Sequence, residues 1–333
     1  MSSLPSTATT TSPRGTAPEV VIRTDGLIKD YATGSRFRER GAVRALDGLD
    51  LEIHRGEVFG FLGPNGAGKS TMIRVLLDQL RPTSGHAEVL GVTPQRGGPG
   101  LRARIGYLPG ELMMSGRSTA GDLLAHLARV RGGVGTDRIR PLAERLTLDL
   151  DKPIRGLSKG NKQKVGVVQA FMHRPELLIL DEPTSGLDPL LQHEFLAMVR
   201  EAQQDGATVF MSSHVLSEVE LVAERVAIVR QGRIVDLDDV ATLRHHAGQQ
   251  VELAFAEPVD AGPFRGLPGV EDLEVDGAEL RCLLRGEPDA LLKVAARYRV
   301  VRWSAEDREL EDLFLDFYRV PVQGDEEVAH RGH

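Results

Sequence analysis

The chain of 333 residues has little cysteine, few aromatic residues and no excess of positive charge. Its single cysteine, Cys282, excludes an internal disulfide and any metal site built from several thiolates. The net charge of −7 argues against sequence-independent binding to nucleic acid, which requires clustered positive charge. No apolar run approaches the roughly 20 residues that span a bilayer, and the N-terminus lacks the apolar segment of a secretory signal. We therefore expect a soluble, cytoplasmic protein without a nucleic-acid partner.

Composition divides the chain into two folded parts with polar ends. Residues 1–18 and 323–333 are polar, which predicts a disordered N-terminal tail and a flexible C-terminal tail. Between residues 19 and 245, short apolar strands alternate with helical segments, a pattern typical of a parallel sheet with crossover helices. The stretch of about 112–170 lacks strand signals, so we expect a helical subdomain there.

The pattern changes near residue 250, and residues 250–320 predict a small domain of strands and helices. Asp276-Gly277 is a hairpin signal between two apolar stretches. Ser304 and Asp307 resemble a capping box, which predicts a helix starting there. The apolar face of that helix would carry Leu310, Leu313, Phe314 and Phe317.

Residues 63–70 carry the full pattern G-x-x-x-x-G-K-[ST] of a phosphate-binding loop, between a predicted strand and a predicted helix. Glycines let backbone N–H groups turn towards phosphate oxygens, and the positive end of the helix faces them. Lys69 is placed to reach the β- and γ-phosphates, and the Ser70 hydroxyl to ligate Mg²⁺. We expect a nucleoside triphosphate to bind at Gly63, Pro64, Asn65, Gly66, Ala67, Gly68, Lys69, Ser70 and Thr71.

Asp181 and Glu182 follow four apolar residues, at the carboxyl end of a predicted strand, where α/β sheets bind ligands. Asp181 is predicted to hold Mg²⁺, directly or through water. Glu182 is predicted to polarise the attacking water as a general base. Because no Asn-Lys-x-Asp motif for guanine follows, ATP is favoured over GTP. These residues predict an ATPase that uses ATP and Mg²⁺.

The pentapeptide Leu157-Ser158-Lys159-Gly160-Asn161 resembles the LSGGQ signature of ATP-binding cassette (ABC) proteins. Ser158 and Gly160 match it, whereas Lys159 and Asn161 replace the usual Gly and Gln. The resemblance implies that this loop contacts the γ-phosphate of the ATP held by a second subunit. A homodimer or heterodimer of ATPase subunits is therefore expected.

Other segments resemble ABC elements in the family's order. Ser185-Gly186-Leu187-Asp188 resembles the D-loop, which signals between the two sites. His214 resembles the switch histidine that hydrogen-bonds the γ-phosphate. Tyr31 resembles the aromatic residue that stacks on adenine, with an ordinary partly buried tyrosine as the alternative. The family usually has a glutamine after a strand, which links Mg²⁺ to the membrane partner, and this chain lacks it. Glu111 is predicted to replace its oxygen as a metal ligand. The alternative is that the contact passes through the backbone or water.

The resemblance covers residues of about 20–237 and implies an α/β P-loop NTPase (ABC ATPase) domain with a helical subdomain, followed by a small α+β C-terminal domain. The latter is similar to the extension of bacterial drug and antibiotic exporter ATPases. We therefore expect an ATP-hydrolysing subunit, peripheral on the inner face of the cell membrane, that powers a separate multi-span permease. The alternative is a soluble ABC ATPase acting on ribosomes, DNA or metal-cluster assembly. A single phosphate loop and the short spacing from Lys69 to Asp181 favour the exporter.

Overall fold

The computed structural model describes residues 19–33 and 41–308. The predicted tails lie outside these ranges, as does the predicted helix face that begins at Leu310. Within the described ranges, no helix combines the length and apolar character that a bilayer-spanning helix needs.

Up to residue 247 strands and helices are interspersed, although the first three elements are all strands and three α-helices in the middle follow one another without a strand between them. In chain order they are β1 (Val20–Thr33), β2 (Gly41–His54), β3 (Val58–Leu62), α1 (Lys69–Leu76), β4 (Ser84–Val89), α2 (Pro94–Ala103), β5 (Ile105–Leu108), α3 (Ala120–Val130), α4 (Ile139–Arg145), α5 (Lys159–Phe171), β6 (Leu177–Asp181), α6 (Pro189–Gln204), β7 (Thr208–Ser213), α7 (Leu216–Val219), β8 (Arg225–Arg230), β9 (Arg233–Asp239) and α8 (Val240–Ala247). The remaining elements are β10 (Gln249–Phe255), β11 (Val270–Asp276), β12 (Glu279–Leu284), α9 (Asp289–Ala295) and β13 (Val300–Asp307).

A six-stranded sheet in the order β5-β6-β7-β3-β8-β9 forms the centre of the first part. Its first five strands are parallel, and β9 runs antiparallel to β8. Strands β3, β6 and β7 are buried along their whole length. Both faces of these strands are covered, which explains why their sequences are continuous apolar runs rather than alternating ones. The carboxyl ends of β3, β6 and β7 therefore meet at one edge, where the phosphate loop lies.

The two faces of this sheet pack against different layers. One face carries a core shared with α3, α5 and α6, which includes Phe171 and Phe195 in edge-to-face contact, with ring centroids 6.0 Å apart. The other face packs against α1 and a second, antiparallel sheet in the order β2-β1-β4. There Phe59 and Phe61 contact Phe210, with ring centroids 6.3 and 5.3 Å apart. The mixed α/β architecture that the sequence predicts is thus the one observed.

Three helices start at side chains that cap their first turn. The Thr119 hydroxyl accepts a hydrogen bond from the Asp122 N–H and begins α3, and the Asp122 carboxylate accepts one from the Thr119 N–H. Ser158 caps α5 through the Asn161 N–H, and Asp188 caps α6. Such caps satisfy N–H groups that have no partner inside the helix. Helices α3, α4 and α5 lie within or next to residues 112–170, the region predicted to be helical.

The C-terminal part is a four-stranded antiparallel sheet in the order β11-β12-β10-β13, packed with α9. The hairpin predicted at Asp276-Gly277 is present, and Gly277 adopts a φ of 59°. Cys282 is fully buried, and burial raises the pKa of its thiol to about 11. The core also contains Phe255, Phe264 and Tyr298, whose rings stack or meet edge to face.

The helix start predicted at Ser304 and Asp307 is wrong. Both residues belong to β13, where Ser304 pairs with Glu252 and Asp307 pairs with Gln249. Strand β13 pairs with the whole length of β10, so ladder hydrogen bonds satisfy the backbone groups that a capping box would have engaged. The boundaries of the two predicted domains remain predictions, although the two sheets before residue 248 share no strand with the sheet that follows it.

Candidate active site

The loop between β3 and α1 requires glycine at two positions. Gly68 has a φ of 109°, in the left-handed region, and a Cβ at this position would lie 2.4 Å from the Ala45 carbonyl oxygen. A Cβ at Gly63 would lie 2.5 Å from the Val229 carbonyl oxygen. Neither position accepts a side chain without displacing backbone. The loop is thus held between β2 and β8 with its backbone turned into the site.

The Lys69 side chain is buried and folds back over this loop. Its Nζ donates to the Gly63 carbonyl at 2.5 Å and to the Pro64 carbonyl at 3.3 Å. The same Nζ lies 3.1 Å from Oε1 of Glu182. The ammonium therefore joins the phosphate loop to the carboxylate at the end of β6.

Glu182 has a left-handed backbone conformation, and its carboxylate contacts both Lys69 and His214. Its φ is 46°, in the left-handed region that costs a residue with a side chain about 1–3 kcal/mol. Its N–H donates to the Ser212 carbonyl at 3.1 Å, which fixes the turn after the strand. His214 Nδ1 donates to Oε2 of Glu182 at 2.6 Å. The turn thus directs the Glu182 carboxylate to a point between Lys69 and His214.

Asp181 is buried and held by a residue that the sequence analysis missed. The Ser212 hydroxyl, fully buried on β7, donates to Oδ1 of Asp181 at 2.6 Å. Asp181 and Ser212 are register partners in the parallel pair of β6 and β7. Burial, together with the negative charge of Asp181, raises the pKa of Tyr107 to about 12, so this phenol stays neutral. The sequence signal that could have pointed to Ser212 is its position two residues before His214, in the strand that follows Asp181 and Glu182 in the chain.

A cavity of about 280 Å³ lies at the phosphate loop and is lined by most of the residues predicted to bind the triphosphate. Its lining combines loop backbone, one ammonium and one carboxylate. The residues that line it are Ala45, Pro64, Asn65, Gly66, Gly68, Lys69, Ser70, Thr71 and Glu182. The site can therefore bind an anion against backbone N–H groups and Lys69, with a potential general base beside it.

A sequence profile described as "ABC transporter" matches residues 46–185 of this chain. The chain is 35% identical over 219 residues to the "Bacitracin transport ATP-binding protein BcrA" of Bacillus licheniformis, covering 65% of this chain and 69% of that protein. The chain belongs to the ABC transporter family. It is an ATP-binding subunit of that family and an ATPase.

Two further similarities extend this result. The chain is 31% identical over 317 residues to the "Daunorubicin resistance ATP-binding protein DrrA3" of Streptomyces coeruleorubidus, across 92% of this chain and 97% of that one. A solved structure described as "Structure of ATP binding subunit of ABC transporter" superposes with a TM-score of 0.60 at 28% identity. That superposition covers 67% of this chain and 92% of the other.

The predicted signature loop, residues 157–161, is not among the segments that line the phosphate cavity. Residues 157–161 lie against the predicted D-loop, residues 185–188, where a Cβ at Gly160 would come within 2.6 Å of the Gly186 carbonyl oxygen. Lys159 Nζ lies 3.4 Å from the Ser185 hydroxyl. Asp188 uses its carboxylate to cap α6 at the Leu191 N–H. The structure thus places the predicted signature loop against the predicted D-loop.

Tyr31 and Glu111 lie at the margins of the site. The hydroxyl groups of Tyr31 and Thr71 are 3.3 Å apart, which places Tyr31 beside the first turn of α1. The Glu111 side chain is exposed, but a Cβ built on the preceding Gly110 would lie 3.5 Å from Oδ2 of Asp181. Across residues 19–33 and 41–308, no three acidic, histidine or cysteine side chains form a metal-binding group.

Proposed function

We propose that this ABC ATPase powers a separate membrane permease that exports drugs, antibiotics or other amphipathic compounds. The observation that carries the proposal is the similarity to the daunorubicin resistance protein over 92% of the chain. That similarity extends well beyond residues 46–185, the part matched by the family profile, and so includes the C-terminal sheet. On this proposal the chain acts at the inner face of the cell membrane.

The phosphate cavity fits the triphosphate of ATP in charge and backbone geometry. Lys69 supplies an ammonium, and α1 begins within the loop, so its positive end faces the bound phosphates. Tyr31 is assigned to adenine because its ring lies beside the first turn of the same helix. Lys29 lies 5.6 Å from the centre of that ring and keeps one of its faces occupied.

Ser70 and Asp181 are the donors that fit Mg²⁺. Ser212 occupies Oδ1 of Asp181, whereas Oδ2 has no hydrogen-bond partner within the part of the chain that the structure describes. One carboxylate and one hydroxyl, completed by phosphate oxygens and water, form a donor set that suits Mg²⁺. Bound there, Mg²⁺ supplies charge neutralisation to the phosphates. Glu111 is assigned as an additional oxygen donor, on a loop that passes Asp181 at Gly110.

Hydrolysis requires a base for the attacking water, and Glu182 is assigned this role. The carboxylate accepts a proton from water while the water oxygen bonds to the γ-phosphorus and the bond from phosphorus to the ADP oxygen breaks. His214 orients the carboxylate by its hydrogen bond to Oε2. The γ-phosphate competes with Glu182 for the Lys69 ammonium, and this competition releases the carboxylate to act as a base.

A second ATPase subunit is part of the proposal because the predicted signature loop is not among the segments that line the phosphate cavity. Residues 157–161 are assigned to the γ-phosphate held by the partner subunit, and Asp188 to the loop between the two sites. The subunits are two copies of this chain or this chain and a related one. Closing of the dimer on ATP and its opening after hydrolysis then drive the permease between two arrangements.

The proposal is tested by co-expressing the affinity-tagged chain with the permease encoded beside it. We expect a multi-span membrane protein to co-purify and to lower the accumulation of amphipathic antibiotics in cells. The Glu182→Gln variant serves as the control that binds the permease without supporting export. Association with ribosomes or with a metal-cluster scaffold, without any membrane protein, would show that the exporter assignment is wrong.

A further inference from the structure

A cavity of about 460 Å³ lies at the end of the central sheet opposite the phosphate loop. Pro175 and Glu176, just before β6, line it, and so do Gly206 and Ala207, just before β7. These parallel strands carry the phosphate loop at their carboxyl ends, so the cavity lies at their amino ends. It has no lining residue in common with the phosphate cavity. This cavity, called the arginine cavity below, is therefore separate from the ATP site.

The lining of the arginine cavity combines buried apolar side chains with three arginines. The buried apolar residues are Leu142, Phe171, Leu178 and Met198, and the arginines are Arg138, Arg145 and Arg174. A cavity of this size accommodates a small organic molecule, whose body contacts apolar side chains while a few polar groups orient it. The charge of the lining then decides which molecules fit.

Three carboxylates also line the arginine cavity, and two of them are already paired. Glu176 lies 2.6 Å from Arg104, and Glu201 lies 2.6 Å from Arg145. The third, Asp205, is exposed and has no ion pair within 4.0 Å in the part of the chain that the structure describes. A single unpaired carboxylate therefore remains for the two other arginines of the lining.

Arg138 and Arg174 have no carboxylate within 4.0 Å among residues 19–33 and 41–308. Arg138 is half-buried, and its guanidinium donates to a neutral group, the Phe171 carbonyl, at 3.0 Å. Burial, followed by the positive charge of Arg174, lowers the pKa of Arg138. Both causes mean that the charged form of Arg138 is disfavoured where it lies. An anion beside the two guanidinium groups would offset this unfavourable charge.

We propose that the arginine cavity binds a small organic anion with an apolar body and a carboxylate held by Arg138 and Arg174. A guanidinium matches a carboxylate through parallel N–H donors, and the apolar body contacts side chains such as Phe171 and Met198. The cavity walls belong both to α4 and to the segments that enter β6 and β7, so the bound anion links the helical region to the central sheet. The inference goes beyond the proposed function and does not depend on it.

The probe for this site is naphthoate, a rigid apolar ring system with one carboxylate, and its control is naphthamide. The amide keeps the shape of the probe and removes its charge. Isothermal titration calorimetry on the full chain is expected to show one naphthoate bound per chain. Naphthamide is expected to bind at least about tenfold more weakly, since hydrogen bonds to a charged group are lost.

Two variants test the cavity by its charge and by its space. Arg138→Gln removes one guanidinium and is expected to raise the dissociation constant of naphthoate at least about tenfold. Ala202→Leu keeps every charge but fills part of the cavity, and a similar loss is expected. Arg140→Gln is the matched control, because it removes an exposed arginine of α4 that does not line the cavity. Its dissociation constant is expected to stay within about threefold of the parent.

Thermal unfolding without the probe shows whether each variant is folded, and if one cavity variant is not folded, the other decides. No binding by the parent chain, or equal binding of naphthoate and naphthamide, would overturn the proposal. An unchanged dissociation constant in the folded cavity variants would do the same. Loss of binding in Lys69→Ala, with binding kept in Arg138→Gln, would assign the probe to the phosphate loop and also overturn it. None of these outcomes bears on the exporter assignment, because no permease is present in the samples.

Discussion

Replacing Ser212 tests whether its hydrogen bond to Asp181 holds this proposed metal ligand in place. Ser212→Ala removes the hydroxyl that donates to Oδ1 at 2.6 Å, and both residues are buried. A hydrogen bond to a charged group contributes about 1.5–3 kcal/mol, and more is lost when the remaining charge stays buried. The variant is therefore expected to lose about 2 kcal/mol of unfolding free energy, or about 4–8 °C in the thermal midpoint of a unit of this size.

Ser213→Ala is the matched control for this experiment. Ser213 is the next residue of β7 and equally buried, but its hydroxyl accepts from the neutral Val215 N–H at 2.9 Å. A bond between neutral groups contributes about 1 kcal/mol. Both variants are compared by urea unfolding followed by fluorescence and by thermal unfolding. We also expect Ser212→Ala, but not Ser213→Ala, to raise the Mg²⁺ concentration needed for half-maximal ATP hydrolysis. If Ser212→Ala destabilised the protein no more than Ser213→Ala does, the reasoning would be refuted.

Three further predictions concern Lys69, Glu111 and His173. Lys69→Ala removes an ammonium from the phosphate loop. The affinity for ATP, measured by calorimetry, and the rate of hydrolysis are both expected to fall at least about tenfold. Tight ATP binding by the variant would contradict the assignment of Lys69 to the phosphates. Glu111→Ala is expected to raise the Mg²⁺ requirement of hydrolysis, and an unchanged requirement would point to backbone or water at that position. Burial lowers the pKa of His173 from 6.5 to about 4, so the unfolded chain takes up its proton first as the pH falls. The free energy of unfolding is therefore expected to decline by up to about 3 kcal/mol between about pH 6.5 and pH 4. Urea unfolding at each pH should show no such decline for His173→Gln. The same decline in the variant would count against this role of His173.

The sequence predicts the elements around the phosphate loop well because each one carries an independent signal. The glycine pattern occurs between an apolar run and a helical spacing, and the structure has β3 and α1 at those places. Strand β8 spans Arg225–Arg230, and its four central residues are buried. These strands are covered on both faces, so their apolar runs are unbroken and easily read.

The antiparallel sheet formed by β1, β2 and β4 could not be predicted in the same way. The pairing of β1 with β2 is interrupted by several register shifts, including those between Thr24 and Leu27 and between Leu27 and Lys29. Each irregularity moves the following side chains relative to the two faces of the sheet, so no alternation of period two survives along the 14 residues of β1.

The contacts inside the candidate site also depend on information that no local pattern contains. Ser212 holds Asp181 only because β7 pairs with β6 in one register. The ion pair of Lys69 with Glu182 joins the start of α1 to the end of β6, which are distant in the chain. Motif spacing can assign roles to these residues separately, but the packing of the central sheet determines which of them touch.

The most direct test of the composite ATPase site is the oligomeric state of Glu182→Gln with and without ATP. The amide keeps the shape of the side chain but cannot accept the proton of the attacking water. Size-exclusion chromatography with light scattering is expected to show a monomer without nucleotide and, with ATP and Mg²⁺, a dimer holding two ATP molecules. A variant that binds ATP and yet stays monomeric under these conditions would contradict the account.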